Sequence, residues 1–243
     1  MRVAALYDVH GNLPALEAVL AEVARERVDR IVAGGDVASG PMPAETLDLL
    51  RAAGATFVRG NADRVLDFEG AAAGPPEVWM EARVWVAERL GEERLAFLAE
   101  LPLDAVLDVD GFGRVRFCHG APGSDTLTIT RLTPDETLRE LLAGVEERVV
   151  VCGHTHVQFD RRVDGVRVVN AGSVGFPYET RPGAYWALLG PDVSFRCTPY
   201  DVAGAVREIR ATGYPRAEYY VGELPLEDPE RPERMSRLIE GLP

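Results

Sequence analysis

Cysteine is scarce. Cys118, Cys152 and Cys197 are the whole complement, an odd number with no zinc-finger spacing. That excludes a disulfide framework, and each cysteine reads as a small buried hydrophobe. No apolar run approaches the roughly 20 residues that span a bilayer, so no membrane span is expected. The N-terminus, MRVAALYDVHGN, lacks the layout of a secretory signal and enters what reads as a core strand at once, which makes the cytoplasm the default expectation. Positive charge is in deficit: 26 Lys and Arg stand against 39 Asp and Glu, a formal net charge of −13. An acidic surface repels phosphate backbones, so stable nucleic-acid binding is not expected. A negative protein still acts on phosphates where bound cations are the largest local charges. There is no internal repeat, low-complexity tract or clear linker, so 1–243 reads as one domain, with no signal of oligomeric state.

What is present alternates strand and helix. RVAALYD (2–8), RIVAGGD (30–36) and TFVRGN (56–61) read as strands. LPALEAVLAEVARE, with Asn12 as N-cap and Pro14 in its first turn, and PAETLDLLRAAG, ending in Gly54, read as helices. This βαβαβ opening predicts a parallel sheet. The stretch from Arg64 to Leu101 is expected to be mostly helical, with Trp79 and Trp85 in the core. After Leu103 the pattern turns β-rich, interrupted by one helix in TPDETLRELLAGV, where Thr133 and Glu136 fit a capping box. A helix over DVAGAVREIRATG and a Pro- and Glu-rich tail with a short terminal helix complete the chain.

The chain has only four histidines, and all follow predicted strands. DVH gives Asp8 and His10, GGD gives Asp36, GNAD gives Asn61 and Asp63, CHG gives His119, and GHTH gives His154 and His156. In open α/β sheets the carboxyl ends of strands converge on one edge, where ligands bind. A polar doublet such as GHTH after the apolar run VVVC is costly unless metallated or hydrogen-bonded. Four imidazoles, two carboxylates and one amide oxygen are too many for one zinc-like ion, which takes about four ligands. They suit two divalent ions sharing a carboxylate. Mixed N and O donors without thiolate favour manganese, iron or zinc over magnesium or calcium; manganese is the first expectation, with iron, zinc or nickel as alternatives. Such a pair clamps an in-line displacement at phosphorus and acidifies a bound water.

In this order the motifs resemble those of the calcineurin-like metallophosphoesterases: D-x-H, G-D, G-N-H-[DE], H and G-H-x-H. Here they stand as DVH, GD, GNAD, CHG and GHTH. The resemblance covers about residues 1–200, and VVNAGSVGFP is similar to a segment of the small bacterial phosphodiesterase-like branch. It implies a four-layer αββα sandwich, two mixed sheets face to face with helices outside. It implies one ion on Asp8, His10, Asp36 and His156 and another on Asp36, Asn61, His119 and His154, with a hydroxide between them as nucleophile. The implied activity is hydrolysis of phosphodiesters or small phosphate esters. A phosphoprotein or dinucleoside-polyphosphate phosphatase is the neighbouring reading, and a non-catalytic metal-binding scaffold the reading from another class. Retention of all seven ligand positions favours a catalyst.

One position departs from the family pattern. Ala62 stands where the family carries a histidine that meets the leaving group, while Asp63, that histidine's hydrogen-bond partner, is retained. Asp63 or water is then a candidate proton source. Arg64 is a candidate contact to a phosphoryl oxygen, Asn170 and Ser173 are candidates to orient the ligands, and Arg181 is a candidate substrate contact. The helix over 77–90 is a candidate lid.

Overall fold

Strand β1 (Val3–Leu6) is four consecutive apolar residues because both of its faces are covered. In the computed structural model, which describes residues 1–65 and 77–242, Val3 and Ala5 face a second sheet while Ala4 and Leu6 face helices. The same division holds on the opposing strand β6 (Val149–Cys152). Val149 and Val151 join the layer between the sheets, and Val150 and Cys152 face outward.

The first sheet contains β1, β2 (Arg30–Ala33), β3 (Thr56–Phe57), β9 (Ala184–Leu189) and β10 (Val193–Thr198), in the order β10-β9-β1-β2-β3. Strands β1, β2 and β3 are parallel, and β9 and β10 run antiparallel to their neighbours. The second sheet contains β4 (Asp104–Val109), β5 (Gly113–Cys118), β6, β7 (Phe159–Val163) and β8 (Val166–Asn170), in the order β4-β5-β6-β8-β7. Its strands β5, β6 and β8 are parallel, with β4 and β7 antiparallel at the edges. The buried Tyr7 joins the sheets, its hydroxyl donating to the Val151 carbonyl at 3.0 Å.

Helices α1 (Leu13–Val23), α2 (Pro43–Ala52), α3 (Glu77–Ala99), α5 (Val202–Ala211) and α6 (Ala217–Glu223) pack on the first sheet through one core. Helix α4 (Asp135–Leu141) covers the second through Leu138 and Leu142, over Cys118 and Cys152. The result is two mixed sheets with helices on their outer faces. No described helix is long and apolar enough to cross a membrane.

Local expectations mostly hold. Asn12 caps α1 by accepting from the Ala15 amide at 3.2 Å. Gly91, at φ 68°, breaks α3 between its two apolar stretches. Of the expected helical middle, residues 66–76 lie outside the described residues. Cys118 and Cys152 are buried, and Cys197 is half-buried. The capping box is not formed. Pro134 occupies the cap of α4, while the Thr133 hydroxyl accepts from the Thr130 amide and donates to the Glu240 carboxylate beyond α7 (Arg231–Ile239). Two elements escape the pattern. In β7 (FDRRV) only the two end residues are buried, and α6 spans seven residues without a side-chain cap.

Candidate metal centre

The carboxyl ends of β1, β2, β3, β5 and β6 meet at one edge of the sandwich, because the parallel strands of each sheet run toward it. The loops leaving them are held in uncommon backbone conformations. Among the described residues seven non-glycine positions have positive φ, and five of these are Asp8 (52°), His10 (47°), Asp36 (52°), His154 (66°) and His156 (58°). Such conformations cost about 1–3 kcal/mol each and persist where the surroundings over-determine them. Here they turn side chains of successive strand ends inward. Close approach is left open by glycine: a Cβ on Gly60 would collide with Oδ1 of Asp36, and one on Gly153 would lie 2.6 Å from Oδ2 of Asp8.

The donor atoms converge with their lone pairs facing one another. Nδ1 of His119 contacts the Gly34 carbonyl at 2.9 Å, that of His156 the Phe176 carbonyl at 2.6 Å, and that of His10 the Ser39 carbonyl at 3.2 Å. A carbonyl partner makes Nδ1 the protonated nitrogen of a neutral ring, so each Nε2 presents a lone pair. Yet Nε2 of His10 and of His156 lie 3.2 Å apart, and Nε2 of His119 lies 3.1 Å from Oδ1 of Asn61. Asp8 Oδ1, buried and without a hydrogen-bond partner, is 3.1 Å from Nε2 of His156. Asp36 Oδ2 lies 3.7 Å from Nε2 of His10 and 3.4 Å from Nε2 of His119, a position between the two groups. Asp8, His10 and His156 form one cluster of potential ligands; Asp36, His119 and His154 form the other. Acceptors packed against acceptors in a buried site are repulsive unless cations lie between them. The nitrogen and oxygen donors present therefore fit divalent metal ions.

The electrostatics show the same strain. Burial opposes charge on His119, but the carboxylates of Asp36 and Asp8 outweigh it and push its pKa up to about 10, so its Nε2 holds a proton against Asp36 unless a metal ion takes that place. Burial and the His119 charge push His154 down to about 4. Asp36 and Asp8 are held below the usual carboxylate range: burial works against them, but the neighbouring imidazoles prevail.

A layer behind the donors fixes them. Asp63 is buried, and its two oxygens accept from the backbone amides of Asp36 (2.8 Å), Val37 (3.0 Å), Ala38 (3.3 Å) and Gly60 (3.0 Å). A carboxylate offers about four acceptor sites, so Asp63 has none left to orient a ring at position 62. The Ala62 amide donates to Asp36 Oδ1 at 2.7 Å, leaving Oδ2 to face the cluster. The Ser173 hydroxyl donates to the Asp8 carbonyl at 2.7 Å and accepts from the Phe176 amide at 2.8 Å. Asn170 donates to the Gly153 carbonyl and Thr155 hydroxyl and accepts from the Gly172 amide. The site thus gathers all seven expected ligand residues and backs them with Asp63, Asn170 and Ser173.

Other expectations are placed differently. Arg64 is ion-paired with Asp125 at 3.1 Å, which also pairs with Arg59. Arg181 is exposed, its carbonyl accepting the Tyr185 hydroxyl. Trp85 packs edge-on against Tyr214 beside the core. Trp79 does not join the core: it is 45 % exposed, because the first turn of α3 projects over the site. There it lines a cavity of about 350 Å³ whose floor is His10, Asp36, Asn61, His154 and His156. Four of the chain's seven tyrosines, Tyr178, Tyr214, Tyr219 and Tyr220, complete its wall with Phe176 and Arg216. The Arg216 guanidinium lies 3.2 Å over the Trp79 ring and 4.4 Å from that of Tyr219. Tyr178 stacks on His156 at 4.9 Å. None of these wall residues except Trp79 stood out in the sequence. The local signal was the cluster YPRAEYY at Tyr214–Tyr220, in a region with little helical periodicity.

Comparison with known proteins agrees with this geometry. The crystal structure of a metallophosphoesterase from Sphaerobacter thermophilus superposes with a TM-score of 0.75 at 28 % identity, over 92 % of this chain and 98 % of the other. A hypothetical protein from Pyrococcus horikoshii shares the fold, with a TM-score of 0.80 at 21 % identity, over 94 % and 99 % of the two chains. An uncharacterized protein of Methanocaldococcus jannaschii is 27 % identical over 173 residues, 71 % of this chain and 69 % of its own. Residues 1–190 match the family model of the calcineurin-like phosphoesterase superfamily domain, a span that holds every candidate ligand, and the chain belongs to that superfamily.

Proposed function

We propose that this protein is a metal-dependent phosphoric ester hydrolase acting on phosphodiesters or other small phosphate esters, with two divalent cations in the centre. The observation that carries this reading is the convergence of three Nε2 atoms on the carboxylates of Asp8 and Asp36, with Asp8 Oδ1 buried and unpartnered. Asp8, His10, Asp36 and His156 would hold one ion. Asp36, Asn61, His119 and His154 would hold the other. When bound, such a pair supplies charge to a phosphoryl group and a hydroxide near neutral pH; manganese is the first candidate, with iron, zinc and nickel behind it.

The chain's own residues set the geometry of that chemistry. Carbonyls of Gly34, Ser39 and Phe176 fix the imidazole tautomers and ring directions. Asp63 ties the loop carrying Asp36 to the loop carrying Asn61, and is a positioning residue. Arg216 brings a cation to the wall of the cavity, suited to a non-bridging phosphoryl oxygen. Position 62 offers no proton, so esters with weakly basic leaving groups are favoured. The likeness to the Sphaerobacter metallophosphoesterase, over nearly the whole of both chains, supports this reading. The test is hydrolysis of bis-p-nitrophenyl phosphate by Mn²⁺-loaded protein. Turnover that exhaustive chelation abolishes and Mn²⁺ restores is expected, and turnover indifferent to chelation would refute it.

A further inference from the structure

The methyl group of Ala62 opens the floor of the cavity sideways. A second compartment of about 250 Å³ adjoins the first and shares with it Asn61, Ala62, Trp79, Tyr214 and Arg216. Val65, Ala82 and Val86, all buried, line its far side under the first half of α3, beside Arg83, whose guanidinium donates to the Arg64 carbonyl at 3.3 Å. Its volume approaches the lower end of small-molecule pockets, about 300 Å³. The three apolar side chains give the organic part of an ester a surface to bury against, provided its phosphate rests on the neighbouring centre.

The lining also selects a shape. Trp79 and Tyr214 present aromatic surface, and the Arg216 guanidinium packs on Trp79 and Tyr219 beside them. Arg216 is not consumed by the nearest acid in sequence, since Glu218 is paired with Arg210 at 2.8 Å. Faces of this kind stack on planar rings, and an alkyl chain gains less from them.

We propose that the compartment beyond Ala62 is a substrate subsite that takes a planar aromatic group of the phosphate ester. This deepens the hydrolase reading and rests on it for the placement of the phosphate. The test uses phosphonates, which carry the anion without a cleavable ester oxygen. Binding of benzylphosphonate and methylphosphonate to Mn²⁺-loaded protein is measured by calorimetry and by quenching of tryptophan fluorescence. Benzylphosphonate is expected to bind at least about tenfold tighter. Ala62→Phe, which fills the opening, and Trp79→Ala, an exposed position that is safe for folding, are each expected to bring the ratio below about threefold with metal content unchanged. A nucleoside phosphonate in the same assay tells whether the preferred ring is a nucleobase or a simple aryl group. Equal binding of the two small phosphonates by the unaltered protein, or a ratio that neither variant changes, overturns the proposal. Hydrolysis of bis-p-nitrophenyl phosphate is followed on the same samples. A ring preference without hydrolysis supports the subsite and removes the catalytic reading; hydrolysis without a ring preference does the reverse.

Discussion

The floor and the wall of the cavity are built by opposite rules. The floor is made of strand ends, with its carboxylates buried and its backbone locked in positive-φ turns. The wall is made of helices α3 and α6 and of loops beside them, with Trp79 45 % and Tyr219 51 % exposed and its contacts aromatic. Every floor residue lies within the 190 residues that match the family model, whereas Tyr214, Arg216, Tyr219 and Tyr220 lie beyond them. Donors that must meet a cation within tenths of an ångström need the first kind of construction. Surfaces that choose between organic groups can use the second. The superfamily match therefore spans the whole floor and only the part of the wall made by Trp79, Phe176 and Tyr178.

Changes to the floor should abolish chemistry, and the largest effect is expected at Asp36. Its Oδ2 lies between the two clusters, so Asp36→Ala should lower occupancy at both ions. Elemental analysis checks the occupancy, and turnover should fall at least about a hundredfold, the scale of losing one charge-stabilising group. Chelation of the unaltered protein should lower its melting temperature, because ions that bind only the folded state stabilise it by about 2.7 kcal/mol at a hundred times their Kd. Asp63→Asn comes next. The new amide group would point N–H at N–H in a buried junction, and a loss of about 10–100-fold in metal affinity or activity is expected. Metal titration separates that loss from a change in substrate binding.

The floor was legible in the sequence because its logic is local. Each ligand follows an apolar strand at once, as in VVVCGHTH, and strand direction alone brings such residues to one edge. The parallel opening was legible for the same reason, since β1 and β2 read as apolar runs with a helix between them; the layered sandwich came from the resemblance of the motifs to the family. The wall was not legible. Trp79 sits in an apolar helical stretch like that of Trp85, and only tertiary placement puts one over the cavity and the other beside the core. Asp63 was visible as a residue but not as a role. Four backbone amides consume its carboxylate, and no side-chain pattern announces backbone partners. The Thr133 capping box failed because Glu240, over a hundred residues away, competes for the same hydroxyl.

Changes to the wall should alter selection before chemistry. Arg216→Met removes the cation while keeping an apolar side chain between Trp79 and Tyr219. KM for a phosphate ester should rise about tenfold, equivalent to about 1.4 kcal/mol of binding, with kcat changed less than about threefold. A matched fall in kcat would move Arg216 from the wall to the floor and break the division.

The smallest effect is expected where the two regions are joined. Tyr220 belongs to α6 and lines the cavity, yet its hydroxyl lies 3.0 Å from both the His10 and Gly175 carbonyls, which share its one hydrogen. His10 is among the strained positions, and Gly175 also accepts from Asn12, the cap of α1. One buried hydroxyl thus holds the helical wall against the loop that aims His10. Tyr220→Phe keeps the ring, which packs 4.8 Å from Phe176, and removes only that tie. A lost hydrogen bond of this kind costs about 1 kcal/mol, or roughly 2–4 °C in a chain of this size. If the tie also sets the direction of His10, affinity for the ion held by Asp8, His10 and His156 should fall a few-fold while the second ion is retained. Stepwise metal titration of the variant resolves the two sites. A melting shift with both affinities intact would show that the wall leans on the floor without steering it.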